Sequence, residues 1–106
     1  MSFWNDTSTF KSRLQRLIEA AGSCNALSFA AGMPVTTLQA YVRANRPVQP
    51  SVEKINVIAQ RLRIDPSWLA FGRGRAPDFE KVAILVATQL ASRRFKHQEE
   101  RLHAVA

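Results

Sequence analysis

The stretch LSFAAGMPVTTLQAYVR, residues 27–43, decides the fold, because it predicts two short helices joined by a tight turn. Small and apolar residues recur at helical spacing in its first half, which predicts a helix with one packed face. Gly32 should end that helix, since glycine adopts the left-handed conformation of a C-cap without a steric penalty. Pro34 cannot continue a helix but suits the first turn of the next one. The pattern is typical of a helix-turn-helix.

The second helix of this stretch has an apolar face and a polar face. Leu38, Tyr41 and Val42 recur at helical spacing and are expected to be buried. The second helix of a helix-turn-helix fits the major groove of DNA, where outward side chains meet base edges. An ordinary helical hairpin with a polar outer face is the alternative. The outward residues, and therefore candidate DNA contacts, are Thr36, Gln39, Ala40 and Arg43.

Charge and composition narrow the class of partner. The chain has 106 residues, of which 46% are hydrophobic, so one globular domain with a small core is expected. A net charge of +7 with a pI near 10.8 favours a polyanion, and nucleic acid is the commonest. A membrane surface is the weaker alternative: the only candidate amphipathic segment with basic residues lies at the C-terminus, and no segment is long enough to span a bilayer. One cysteine and no secretion signal at the start predict a cytoplasmic protein.

The first predicted helix begins after Thr9, a favourable N-cap, and an apolar stripe runs from Phe10 to Ile18. Its basic residues lie off that stripe, either as a solvated face or as contacts to DNA phosphates at the flank of the second motif helix. Arg46 projects from the proline-rich loop after the motif and could reach the DNA backbone. The predicted phosphate contacts are Lys11, Arg13, Arg16, Thr37 and Arg46.

Two further helices should complete the compact unit. Residues 51–63 carry a stripe from Val52 to Leu62 that is expected to be buried. Asp65 and Pro66 then provide an N-cap and a first helical residue for a short helix. Its bulky residues are expected to close the core from beneath, since aromatic side chains bury large areas. They are Trp68, Leu69 and Phe71.

A basic, glycine-containing break at GRGRAP separates residues 1–76, the predicted DNA-binding domain, from residues 77–106, a C-terminal amphipathic helix. The helix is apolar nearly all round over its first half, so it must be covered on more than one side. The domain can cover one side, and a second protomer is predicted to cover the other. The predicted dimerisation residues are Phe79, Val82, Ile84, Leu85, Val86 and Leu90.

The chain resembles the lambda-repressor-like helix-turn-helix family of phage repressors and Cro-type regulators over roughly residues 10–74. The resemblance rests on RLQRLIEAAG, on the stretch 27–43, on PSVEKINVIAQRL and above all on IDPSWLAFG, in the family's order and spacing. It implies an all-α bundle of about five short helices that binds operator DNA as a dimer. It also implies base contacts at Val35, Thr36, Gln39 and Ala40. Three departures are Val35, where glutamine, asparagine or serine is common, Pro34, where a serine or threonine cap is usual, and Arg63, where a glycine often ends the fourth helix.

The leading functional interpretation is a sequence-specific transcriptional regulator of the phage or prophage repressor type. It would bind a pseudo-palindromic double-stranded operator as a homodimer. The alternatives are the DNA-binding antitoxin of a toxin–antitoxin pair, whose last helix would mask a toxin, and a protein-interaction module on the same fold. The chain is either a small regulator that dimerises through its last helix or an N-terminal fragment.

An enzyme is not expected. His97 and His103 lie on the polar tail without a carboxylate or cysteine arranged near them, so the sequence predicts neither a metal site nor a nucleophile. Cys24 is expected to have a capping or packing role. No cofactor and no small-molecule substrate is predicted.

Overall fold

Helices account for nearly all of the regular structure. The computed structural model describes residues 8–46 and 48–105, with side chains described as far as residue 92. The side chains of His97 and His103 therefore lie outside the described part. No strand occurs in these residues, which confirms the predicted all-α class. In chain order the helices are α1 (Phe10–Ala21), α2 (Cys24–Ala31), α3 (Val35–Val42), α4 (Val52–Leu62), α5 (Pro66–Phe71) and α6 (Phe79–Val105).

The predicted helix ends are confirmed in α1. The Thr9 hydroxyl accepts a hydrogen bond from the Ser12 amide at 3.1 Å, and the Ser12 hydroxyl accepts one from the Thr9 amide at 3.0 Å. This reciprocal capping box satisfies amides that have no partner inside the helix. Gly22 ends α1 with a φ of 100°, a conformation that glycine adopts without strain.

The core lies between the first five helices, and the first half of α6 closes it against α1 and α2. Val82 and Val86 of α6 are buried in this core. Phe79 and Leu90 are half-buried against it. The prediction that these four residues form a dimer interface is therefore wrong for Val82 and Val86, because the chain's own bundle already covers their side chains.

Trp68 is 4% exposed and meets the ring of Phe79 edge-on at 5.9 Å between centroids, as expected of a residue that closes the core. Two other predictions of burial are wrong. Phe71 is 71% exposed, because α5 ends there and its inward positions are taken by Trp68 and Leu69. Val52 is 68% exposed, because it is the first residue of α4 and the same stripe becomes buried only further along the helix.

Arg13 ties α1 to the end of α5. Its side chain is 3% exposed, which contradicts the prediction that it is either solvated or in contact with a DNA phosphate. The guanidinium donates from Nε to the Leu69 carbonyl at 2.9 Å and from a terminal nitrogen to the Ala70 carbonyl at 3.0 Å. Carbonyls in the last turn of a helix have no partner within it. Burial lowers the pKa of Arg13, but an arginine stays charged at neutral pH.

Arg63 ends α4 in a conformation that usually requires glycine. Its φ of 57° and ψ of 45° are left-handed. The Arg63 amide donates to the Gln60 carbonyl at 3.2 Å, and the Ile64 amide donates to the Ala59 carbonyl at 2.9 Å. These bonds satisfy carbonyls at the helix end as in a Schellman motif. The arginine therefore preserves the turn that glycine would form, at the cost of a strained backbone.

Asp65 connects α5 to the segment that leads into α6. One carboxylate oxygen accepts from the Ser67 amide at 2.8 Å, which caps α5 as predicted. The other accepts from the Arg75 amide at 3.2 Å. The hydrogen bonds from Arg75 and Ser67 lower the pKa of Asp65. A Cβ at Gly74 would collide with this carboxylate, so the close approach requires glycine at that position.

None of the described helices is both long enough and apolar enough to cross a bilayer.

We expect Arg13→Met to lower the free energy of unfolding by about 2–4 kcal/mol, because it leaves two carbonyls near the core without their charged donor. Urea denaturation measures this loss. Arg73→Met, at an exposed arginine after α5, should change stability by less than about 0.5 kcal/mol. An equal effect of the two substitutions would contradict the proposed role of the Arg13 hydrogen bonds.

We expect Arg63→Gly to raise the free energy of unfolding by about 0.5–1 kcal/mol. Relief of the left-handed strain is worth about 1–2 kcal/mol, and the added chain entropy of glycine removes part of it. The matched control is Gly22→Ala, since Gly22 is also left-handed and a Cβ there would meet no atom within 4 Å. In both thermal and urea unfolding, the midpoint should rise for Arg63→Gly and fall for Gly22→Ala.

Candidate nucleic-acid interface

The turn between α2 and α3 is held by a buried hydroxyl. The Ser28 hydroxyl donates to the Met33 carbonyl, and the Met33 amide donates back to the Ser28 carbonyl at 3.1 Å. Gly32 adopts the left-handed conformation with a φ of 70°. Because both partners of the Ser28 hydroxyl bond are buried, the start of α3 is fixed relative to α2.

The inward face of α3 fixes which of its residues point outward. Leu38 and Tyr41 are buried in the core, and the Tyr41 ring meets the edge of Phe10 from α1 at 6.1 Å between centroids. Burial also raises the pKa of Tyr41. The Pro34 carbonyl accepts hydrogen bonds from the amides of the first helical turn. The opposite face of α3 is therefore directed away from the bundle.

That outward face carries the predicted base contacts. Thr36 and Gln39 are exposed and lie one helical turn apart, so their side chains share a face. Val35 and Ala40 are half-buried beside them. Arg43 is exposed, but α3 ends at Val42, so this arginine extends from the C-cap and not from the helix. Its Nε donates to the Arg46 carbonyl at 2.9 Å, which aims the guanidinium along the loop that follows α3.

The predicted phosphate contacts divide into two groups. In the first group, Lys11 and Thr37 are half-buried and Arg46 is exposed. Among the described residues, Lys11 and Arg46 have no ion-pair partner. Arg46 has a φ of 49°, which places a bend just after α3.

The second group faces the protein. Arg13 is buried and donates to the carbonyls of α5, so its guanidinium cannot reach a DNA phosphate. Arg16 lies 4.4 Å above the centre of the Phe79 ring and pairs with Glu19 at 3.6 Å. The sequence did not predict either packing role. A stripe defined by hydrophobic residues does not show where the long alkyl part of an arginine side chain is buried.

Neither a reactive cysteine nor a metal site is found among the described residues. Cys24 lies in the first turn of α2, where Ser23 is the N-cap, so the packing role predicted for this cysteine fits its half-buried position. Burial raises the pKa of the Cys24 thiol, which favours the unreactive protonated form. Within the described residues, no three histidine, cysteine or acidic side chains come together as a metal site would require.

Comparisons with known proteins yielded no relative: no protein family, no curated protein and no solved structure matches the chain.

Proposed function

We propose that this protein is a sequence-specific transcriptional regulator that binds double-stranded DNA through α3, as a repressor acting in the cytoplasm. One observation carries the proposal: Thr36 and Gln39 stand exposed on the outward face of a helix whose other face is fixed in the core. Both side chains donate and accept hydrogen bonds, and glutamine can form two bonds to an adenine edge.

The order of the helices supports a lambda-repressor-like arrangement. A capped first helix packs against both helices of the turn motif, α4 packs against α2, and a short α5 with a buried Trp68 lies below α1 and α4. In such an arrangement the second motif helix enters the major groove, and the flanking segments meet the DNA backbone. Lys11 and Arg46 are the predicted phosphate-contacting cations that remain for that role, together with the N-terminal turn of α3.

We further propose a homodimer that binds a pseudo-palindromic operator. Ile84 on α6 is 59% exposed, and Leu85 beside it is half-buried. Val82 and Val86 are buried in the core and Phe79 and Leu90 pack against it, so Ile84 and Leu85 are the two predicted dimerisation residues that do not pack on the core. A two-fold contact there would remove Ile84 from water and present two copies of α3 to successive major grooves.

The antitoxin and the protein-interaction module use the same surface differently. In either case Ile84 would contact a different protein and not a second copy. The exposed Ile84 is compatible with each of these partners, so the oligomeric state of the pure protein separates them from the regulator.

We expect Gln39→Ala to weaken binding to the preferred site by about 1–3 kcal/mol relative to random DNA, because a base contact is lost while phosphate contacts remain. The preferred site is first selected from a random duplex library, and affinities are then measured at several salt concentrations. Binding to both DNAs should fall with salt, with a slope of about −0.9 per phosphate neutralised.

The control for this experiment is Gln60→Ala, at an exposed glutamine on α4. It should leave both affinities unchanged. If Gln39→Ala weakened random and selected DNA equally, Gln39 would not read sequence. If the unmodified protein selected no site, the proposed function would be wrong.

We expect Ile84→Glu to give a folded monomer that binds a full operator more weakly, because a charge at a two-fold contact faces its own copy at close range. Sedimentation measures the oligomeric state, and circular dichroism checks the fold. Val52→Glu is the matched control, since Val52 is also an exposed branched residue near a helix start. If Val52→Glu dissociated the dimer and Ile84→Glu did not, the dimer contact would lie at α4. If the unmodified protein were a monomer, the homodimer proposal would be wrong.

A further inference from the structure

An apolar groove of about 400 Å³ lies between the first turns of α4 and the short helix α5. Among the described residues, Phe71 and Val52 are the two most exposed of the large apolar side chains, at 71% and 68%, and both line this groove. Half-buried Ile55 and Ala70 lie beside them. Contiguous exposed apolar surface marks a place that another segment or molecule covers.

The groove has a neutral rim, because none of the residues that line it is ionisable. Its polar side chains are two amides and one hydroxyl, which can hydrogen-bond a neutral occupant but give a polyanion no cation to pair with. They are Gln49, Asn56 and Ser67. The groove therefore favours an uncharged, apolar occupant over nucleic acid, and over the charged stretch RRFKHQEER of residues 93–101.

The residues that precede α1 have a composition that matches this groove. Residues 1–7, MSFWNDT, lie outside the described residues. Their sequence holds the aromatic pair Phe3 and Trp4, and Ser2 and Asn5 flank the pair with neutral hydrogen-bonding groups. Aromatic rings bury large apolar areas, and amide and hydroxyl groups can bond to the amides of the rim.

The path from this segment to the groove is short. The Arg13 guanidinium donates to the Ala70 carbonyl at 3.0 Å, and Ala70 lines the groove. A helical side chain leans toward the N-terminus of its helix, so the end of α5 lies beside the first turn of α1. Thr9 is one turn, about 6 Å, before Arg13. Trp4 is five residues further back, and an extended chain of five residues spans up to about 17 Å, so its ring can reach the groove.

We propose that residues 1–7 cover this groove in the same chain, with the rings of Phe3 and Trp4 packed against Phe71 and Val52. The neutral rim and the short path from the start of α1 support this occupant. The proposal does not rest on DNA binding, because no residue of α3 lines the groove. A second copy of the chain is the alternative occupant, and it gives a different outcome in the test.

The test measures the solvent exposure of Trp4 in the full chain without DNA. Fluorotryptophan replaces both tryptophans, Trp4→Phe assigns the two fluorine NMR signals, and a soluble nitroxide broadens the signal of an exposed ring. Phe71→Ser should remain folded, because the side chain is exposed. It should lower the ratio of covered to free segment about threefold or more, as expected when one aromatic contact is lost, so the Trp4 signal should broaden more than in the unmodified protein.

Val57→Ser is the matched control, since Val57 is an exposed branched residue of α4 that does not line the groove. It should leave the broadening of the Trp4 signal unchanged. Equal broadening in the unmodified protein and in Phe71→Ser would overturn the proposal. So would nuclear Overhauser contacts between Trp4 and Val52 that arise only between chains in a mixture of labelled and unlabelled protein, because they would place the segment on a second copy.

Discussion

The arrangement of this bundle depends on one buried cation. Arg13 joins the second turn of α1 to the last carbonyls of α5, and the position of α5 in turn sets the depth of Trp68 beneath the core. The Trp68 ring contacts the Phe79 ring at the start of α6, and the Arg16 guanidinium from α1 lies over the Phe79 ring. Hydrogen bonds from a charged donor near the core are among the stronger individual contacts in proteins. Three helices are thus located by two arginines spaced three residues apart on α1.

The sequence predicted the helix boundaries well, because their causes are local. Thr9, Gly22, Gly32 and Asp65 each act on neighbouring backbone groups, and these caps stand where propensity places them. Long-range contacts were beyond such reasoning. The exposure of Phe71 depends on where α5 ends relative to the bundle, and the burial of Val86 depends on which side of α6 meets α1 and α2. Periodicity identifies an apolar stripe but not its partner.

The same limit applies to the candidate DNA surface. Thr36 and Gln39 were predicted from helical spacing, and the burial of the opposite face of α3 accounts for their outward position. A count of basic residues on α1 did not separate Lys11 from Arg13, because both have the same charge and only packing distinguishes them. The basic surface near α3 is consequently smaller than the net charge suggests. Its specificity would then depend on a few side chains of α3 more than on a broad electrostatic field.

The two hydrogen bonds of Asp65 tie the cap of α5 to the path of the chain toward α6. One carboxylate accepts from the Ser67 amide in the first turn of α5 and from the Arg75 amide in the segment that precedes the 27-residue α6. A Cβ at Gly74 would collide with the same carboxylate. The start of α6 is held by this segment, and its first half is held by the burial of Val82 and Val86. The 19 residues of α6 beyond Val86 extend about 30 Å, so a change of about 10° in the direction set by the core would displace the end of the helix by about 5 Å.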